Sequence, residues 1–156
     1  MRTRGVIKIG LLGLVFALAG CRTHDNISVS VPTDPSGWGT GSMRVVRFQN
    51  HDTLTPRNLT LFVVHDSRTT DDTHTVDIEV EMHTPHGAKF SEDVTVSVDH
   101  PDEKNTIRQS CRTYRTDAIL NDTGEYRIVL KNKTLHQLRG VRAVGIEITD
   151  SENGKR

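Results

Sequence analysis

The sequence predicts an all-β protein, an antiparallel β-sandwich of about eight strands with a jelly-roll or immunoglobulin-like (Ig-like) arrangement. Two observations carry this prediction. Apolar and polar residues alternate in most segments after residue 26, and turn-forming residues separate these segments at short intervals. No long segment of the body has helical periodicity. The sandwich domain is expected at residues 43–150, with a tail at 151–156.

The clearest alternation lies in residues 75–83, where valine, isoleucine and methionine alternate with acidic residues. Only a strand with one dry and one wet face needs that pattern, which places Val80 on the dry face and Glu79 on the wet face. A Thr-Pro-His-Gly turn follows at 84–87. Residues 75–83 and 88–98 are therefore predicted to form a hairpin.

The remaining strands are predicted at 27–31, 43–49, 58–65, 107–114, 125–131 and 144–148. Residues 58–65 are the most apolar and predict a central strand, whereas the polar segment 107–114 suits an edge strand. Trp38, flanked by glycines, is predicted to plug one end of a sheet. Residues 134–140 are predicted to hold one helical turn with Leu135 and Leu138 facing inward.

The start of the chain is typical of a bacterial lipoprotein signal peptide. Arg2, Arg4 and Lys8 precede an apolar run that is roughly half the ~20 residues needed to span a bilayer. Leu-Ala-Gly-Cys at 18–21 then matches a lipobox, where a diacylglycerol is joined to the cysteine thiol and the chain is cut just before it. The predicted organisation is a signal peptide at 1–20, then a lipid-anchored tether with the first strand at 21–42, ahead of the sandwich.

Acylated Cys21 is the predicted membrane anchor, because two or three acyl chains hold stably where one does not. Residues 22–26 lack the strong acidic run that marks surface export in bacteria with such proteins. The expected location is the outer membrane, on its periplasmic face.

The composition of residues 21–156 limits the choice of partners. They contain 17 lysines and arginines against 20 aspartates and glutamates, a net charge of −3. No basic excess favours nucleic acid, and none favours anionic lipid. Cys111 is the only thiol left once Cys21 is acylated, so no intramolecular disulfide is expected. No cofactor and no small-molecule substrate are predicted.

Few residues suggest chemistry. His83 and His86 are the only close histidine pair, and no metal site is expected from them. Asp77, Glu79 and Glu81 are explained as the wet face of their strand. The chain has no serine nucleophile elbow, phosphate loop or zinc-protease helix motif, and we expect no catalytic residue and no enzyme. Three Asn-X-Thr acceptor patterns, at Asn58, Asn121 and Asn132, are discounted in a bacterial chain.

The order of these features resembles the gliding motility lipoproteins of the GldH type, from Bacteroidetes. The resemblance runs from Cys21 to about Thr149 and includes Gly37-Trp38, the segments 48–61 and 123–126 and, most specifically, the ending 135–148. It implies a non-catalytic role, through contacts with other envelope and motility proteins, in cell movement over surfaces and the protein secretion linked to it. One departure is the charged segment 99–105, where the family has a Gly- and Trp-rich stretch.

Two functions of different kinds follow. The first is a lipid-anchored envelope protein whose partner edge is the strand 107–114, rimmed by Asp102, Glu103 and Lys104. The alternative is a glycan-binding outer-membrane lipoprotein of a nutrient-uptake system. The scarcity of aromatic residues argues against glycan binding, because sandwich-shaped sugar binders usually stack sugars on exposed rings.

Overall fold

The computed structural model describes residues 26–68, 74–98 and 107–151. They form eight strands: β1 (Ile27–Pro32), β2 (Met43–Asn50), β3 (Arg57–Asp66), β4 (Thr75–His83), β5 (Lys89–Ser97), β6 (Ile107–Ala118), β7 (Gly124–Asn132) and β8 (Val141–Asp150). None of these residues lies in a helix, so no membrane-crossing helix is found among them. The predicted all-β class and the number of strands are confirmed.

The strands form two antiparallel sheets of four, in the orders β1-β8-β3-β6 and β2-β7-β4-β5. Strands pair from the outside of the chain inward: β1 with β8, β2 with β7, β3 with β6 and β4 with β5. This is the order of a long hairpin folded over on itself. The eight-stranded sandwich is therefore a jelly roll, and the Ig-like alternative does not apply.

β1 is an edge strand of the sandwich, with Ile27 opposite Ile148 and Val31 opposite Val144. It therefore belongs to the same folded unit as the strands of residues 43–150. The predicted hairpin of β4 and β5 is confirmed, with His83 opposite Lys89 across its turn. The apolar segment predicted to be central is β3, an inner strand of its sheet.

Aliphatic side chains fill the space between the sheets. β3 contributes Leu59, Leu61 and Val63, all fully buried, as alternate residues of one strand face do. The other sheet contributes side chains that are also buried: Val76, Ile78, Val80, Ile128 and Leu130. Val80 is 1% exposed while Glu79 lies at the surface, so the predicted faces of this strand are confirmed.

The sandwich has two different ends. The short-loop end consists of the connections 51–56, 84–88 and 119–123, and both ends of the described chain, Asn26 and Ser151, lie there. The long-loop end consists of the connections 33–42, 67–74, 98–106 and 133–140. This division follows from antiparallel pairing, since consecutive strands turn at alternate ends.

Trp38 closes the long-loop end, as predicted. It is 1% exposed and exchanges two backbone hydrogen bonds with Leu138, at 2.7 and 3.0 Å. The fully buried amide of Asn132 donates to the Trp38 carbonyl at 2.9 Å and accepts from the Thr134 N–H. A glycan on Asn132 is incompatible with that burial.

The predicted helical turn at 134–140 is wrong. Leu138 is buried as expected, but Leu135 is 96% exposed. The Thr134 hydroxyl accepts the backbone N–H of Asp77, and the bridge between Leu138 and Trp38 holds the segment extended. Extended backbone does not bring positions three apart onto one face, so only Leu138 reaches the core.

The outer face of the first sheet carries one buried ring. Phe62 is 5% exposed although its neighbours along β3, Leu61 and Val63, face the interior. Its cross-strand neighbour on β8 is Gly145, which has no side chain to displace it. A Cβ on Gly145 would lie 2.5 Å from the Phe62 Cζ atom. The ring therefore covers the glycine backbone.

Candidate functional site

β6 is the candidate interaction strand, and it lies at the edge of its sheet, as predicted for residues 107–114. It has 12 residues, the longest of the eight strands, and pairs with β3 alone among the described strands. The opposite edge therefore presents backbone N–H and C=O groups that no described strand occupies. Such an edge is where an extended segment of another protein can add as a strand.

The side chains of β6 are polar and mostly at the surface. Arg108, Arg112 and Arg115 give the strand a basic character against the single acid Asp117. Arg112 is exposed, whereas Arg115 donates to the Glu92 carboxylate of β5 at 2.6 Å. β6, the longest of the described strands, thus carries more basic than acidic side chains.

Two contacts attach β6 to the rest of the sandwich. Tyr114 packs against the buried cluster, and burial raises the pKa of its hydroxyl. His65 of β3 is fully buried, with its Nε2 atom 3.1 Å from the Ser110 hydroxyl. The alternation of β3 places residue 65 on the same face as Leu61 and Val63. This contact holds the first part of β6 against β3.

A cleft opens beside β6 at the short-loop end. Its volume is about 230 Å³, and its walls include Phe90, Arg115, Ile119, Asn121, Asp122 and Tyr126. Phe90 occupies the interior-facing side of β5, opposite Met82, yet it is 47% exposed because the sandwich is open between β5 and β6. The Arg115 guanidinium lies 6.0 Å from the centre of this ring, within the range of a cation–π contact.

The polar wall of the cleft is held in one position. The Asp122 carboxylate contacts the His86 Nδ1 atom at 2.9 Å, and hydrogen bonds from Thr84 and then from His86 hold the pKa of this carboxyl below its usual range. The Tyr126 hydroxyl accepts the Asp122 backbone N–H at 3.1 Å. An ionised carboxylate and a half-exposed aromatic ring therefore both line the cleft.

The histidines do not converge. The His83 ring contacts Glu81, whose pKa is lowered first by that hydrogen bond, while His86 contacts Asp122. In the described ranges, no group of three or more metal-ligating side chains is found. Asp77, Glu79 and Glu81 occupy the outer face of β4, where Thr95 and Ser91 donate to the first two.

The predicted site residues fall outside the described ranges. Cys21, the lipidation site, precedes Asn26, and the rim residues Asp102, Glu103 and Lys104 lie in the segment before Ile107. Their roles stay predictions. Cys111, the second of the two cysteines in the sequence, is exposed on β6. The cleft was missed because β5 and β6, which carry Phe90 and Arg115, belong to different sheets, and no local pattern shows which sheet a strand joins.

No known family model matches the chain, and no curated protein matches it. Among solved structures, a 4-O-methyl-α-glucuronidase with specificity for decorated arabinogalactans is similar at 11% identity, over 74% of this chain and 14% of that one, with a TM-score of 0.38. The VP2 subviral particle of infectious bursal disease virus is similar at 15% identity, over 94% and 38%, with a TM-score of 0.40.

A carbohydrate-binding module of the β-sandwich superfamily is similar at 9% identity, over 80% of this chain and 52% of that one, with a TM-score of 0.29. The chain therefore spans between 14% and 52% of the length of these three structures. At such identities and scores, the similarity carries no inference about function.

The Asp52 carboxylate, in the β2–β3 connection of the short-loop end, makes stability depend on pH. Arg57, 4% exposed, contacts Asp150 at 2.7 Å and Asp52 at 3.4 Å. The Asp52 carboxylate accepts hydrogen bonds from Thr55 and from the Leu54 N–H, and these lower its pKa from 3.8 to about 2. A carboxyl group whose pKa is lower in the folded than in the unfolded protein stabilises the fold at pH values above its unfolded-state pKa. This stabilisation is lost as the pH falls through the folded-state pKa.

We expect the free energy of unfolding to decrease between about pH 4 and pH 2, and to decrease less in Asp52→Asn. The difference should be about 1 kcal/mol or less, because the Asp52 side chain is 38% exposed and solvent screens it. Urea midpoints at three pH values measure it. Asp93→Asn, at a 71% exposed carboxylate, is the control and should follow the parent. Identical pH profiles for Asp52→Asn and the parent would contradict this role.

Proposed function

We propose that the protein is a non-catalytic, lipid-anchored component of a bacterial outer membrane, related in role to the gliding motility lipoproteins, that binds another envelope protein along the free edge of β6. The observation that carries the proposal is this edge: 12 residues long, basic, and paired on one side alone within the described chain. The lipobox at residues 18–21 and the resemblance described above support the anchored location.

The partner chemistry follows from β6 itself. Backbone groups along an open edge provide affinity for an extended segment, and the side chains flanking them provide specificity. Because Arg108 and Arg112 outnumber the single acid even with Arg115 paired to Glu92, an extended segment carrying acidic residues is the complementary partner. Basic side chains on an edge can also serve to prevent pairing. If the edge binds a partner, a probe on β6 forms a cross-linked adduct. If the basic side chains prevent pairing, no adduct forms.

Cys111 allows the edge to be tested in the native chain. It is exposed on β6, and acylation of Cys21 leaves it as the single free thiol. A photoreactive maleimide on Cys111 should yield one discrete cross-linked adduct in native membranes. The adduct should disappear in Arg112→Glu, since the reversed charge repels an acidic partner. It should persist in Arg47→Glu, a control on the exposed β2 strand of the other sheet.

Loss of the adduct in both variants, or in neither, would remove the β6 edge from the proposal. Cys21→Ser should release the chain from the membrane fraction, because the body has no basic excess to replace the acyl chains. Slower spreading of a gliding host carrying Arg112→Glu would connect the edge to motility.

A second function, glycan binding, is favoured by one observation. The half-exposed Phe90 ring faces a cleft that also holds Asn121 and Asp122, the combination of a flat ring and hydrogen-bonding groups that sugar recognition uses. Micromolar binding of a defined glycan by residues 22–156, about −8 kcal/mol, that is lost in Phe90→Ala would favour this function over the first.

A further inference from the structure

The two ends of the sandwich differ in charge. The connections of the short-loop end contain no lysine or arginine and two acids, Asp52 and Asp122. Both acids have partners, Arg57 in one case and His86 in the other. Among the described residues, the connections of the long-loop end contain four charged side chains, two of them basic: Asp34, Arg68, Lys133 and Arg139.

The short-loop end also presents apolar side chains to solvent. Leu54 is 83% exposed, Ile119 49% and Phe90 47%. Leu54 is held in place, since the Asp52 carboxylate accepts the backbone N–H groups of Leu54 and Thr55 at 2.9 and 3.0 Å. This local turn presents the leucine outward at the tip of the β2–β3 connection.

Exposed apolar side chains occur at the other end as well, where Leu135 is 96% exposed, so exposure alone does not distinguish the ends. The path of the chain does. β1 begins at Ile27 on the short-loop end, and only residues 22–26 separate it from Cys21. Even fully extended, that segment reaches roughly 20 Å, while a ten-residue strand such as β8 is about 30 Å long.

We propose that the short-loop end lies against a phospholipid bilayer, with Leu54 and Ile119 in contact with the lipid interface. The proposal rests on the acylation of Cys21 given in the proposed function. A surface with few charges and exposed apolar side chains loses less free energy of hydration by approaching lipid than a surface with more charged groups. The strands then stand away from the membrane, and β6 runs from the bilayer outward.

This orientation also sets the direction of β6. The strand begins at Ile107, on the long-loop end remote from the bilayer, and ends at Ala118, on the short-loop end. A partner strand on β6 would therefore lie along the membrane normal.

Leu54 and Leu135 form a matched pair for the test, because both are highly exposed leucines on connections at opposite ends. In a Cys111→Ser background, Leu54→Cys or Leu135→Cys is labelled with a fluorophore. The acylated chains, verified by mass, are then inserted into phosphatidylethanolamine–phosphatidylglycerol vesicles with or without nitroxide-headgroup lipid. The label at position 54 should lose most of its emission when the quencher is present, and the label at 135 should keep its emission.

Three results would overturn the orientation while leaving the anchor intact. They are equal quenching at both positions, quenching at 135 alone, and no quenching of either label in chains that float with the vesicles. A chain whose mass shows no acyl groups, and which does not float, would instead remove the anchor and with it the proposed function. Urea midpoints equal to that of the Cys111→Ser parent establish that both labelled chains are folded.

Discussion

Gly145→Ala is expected to destabilise the domain by about 3 kcal/mol or more. A Cβ at this position would lie 2.3 Å from the carbonyl oxygen of Val29 and 2.5 Å from Cζ of Phe62. Moving either atom away from the new Cβ would cost free energy. The Val29 carbonyl belongs to β1, whose pairing with β8 fixes its position, and the Phe62 ring is itself buried.

The midpoint of urea unfolding measures this effect, and Gly39→Ala is the matched control. The nearest atom to a Cβ added at Gly39 would be a side-chain oxygen, the Ser42 Oγ at 3.3 Å, and the φ of Gly39 is not in the left-handed region. Gly39→Ala should therefore stay within about 1 kcal/mol of the parent. If the two alanine variants unfold at the same urea concentration, the close approach of Phe62 and β1 to Gly145 is not real.

Val80→Asp is expected to cost about 4 kcal/mol or more at neutral pH, because it places a carboxylate with no partner between the sheets. Val80 is 1% exposed and belongs to the apolar core cluster between the sheets. Burial raises the pKa of such a carboxyl, so the destabilisation should become smaller as pH falls and the group takes up a proton. A steric effect alone would show no such recovery.

Glu79→Gln is the control for Val80→Asp, one residue away on the opposite face of β4. It removes a 3.7 Å contact with Lys131 between side chains that are partly exposed, and an amide oxygen can still accept from Ser91. Its effect should stay within about 1 kcal/mol. Equal urea midpoints for Val80→Asp and Glu79→Gln would show that the faces of β4 are assigned wrongly.

Local features of the fold were predictable from the sequence. The alternation around Val80 predicts a strand with one apolar and one polar face, and the Thr-Pro-His-Gly turn after it predicts a hairpin. Both predictions are confirmed. These predictions succeed because a strand face and a turn depend on neighbouring residues. The burial of Trp38 was also predictable, since so large an apolar side chain loses much by exposure.

Long-range features were not predictable in the same way. The pairing of β1 with β8 joins segments at opposite ends of the chain, and no local pattern encodes it. Leu135 has the apolar character of a core residue, but the buried hydroxyl of Thr134 and the bridge at Leu138 turn it outward. The burial of His65 depends on its register in β3, which places a polar side chain on the core face.

The candidate site shows the same division. The edge position of β6 was predictable from its polar composition, because an inner strand with both edges and both faces covered is more apolar. The cleft was not predictable, since Phe90 and Arg115 come together only when β5 and β6 lie at the same open side of the sandwich.

The pairing of β1 with β8 has a consequence for the order of events during biogenesis. Of the eight described strands, β1 is the first to be synthesised, and its hydrogen-bonding partner, β8, is the last. A jelly roll with this connectivity cannot complete its first sheet until β8 is free, and contacts so distant in sequence form slowly. A chain that crosses a membrane from its N-terminus would therefore stay unfolded, and competent for threading through a translocation pore, until β8 has emerged.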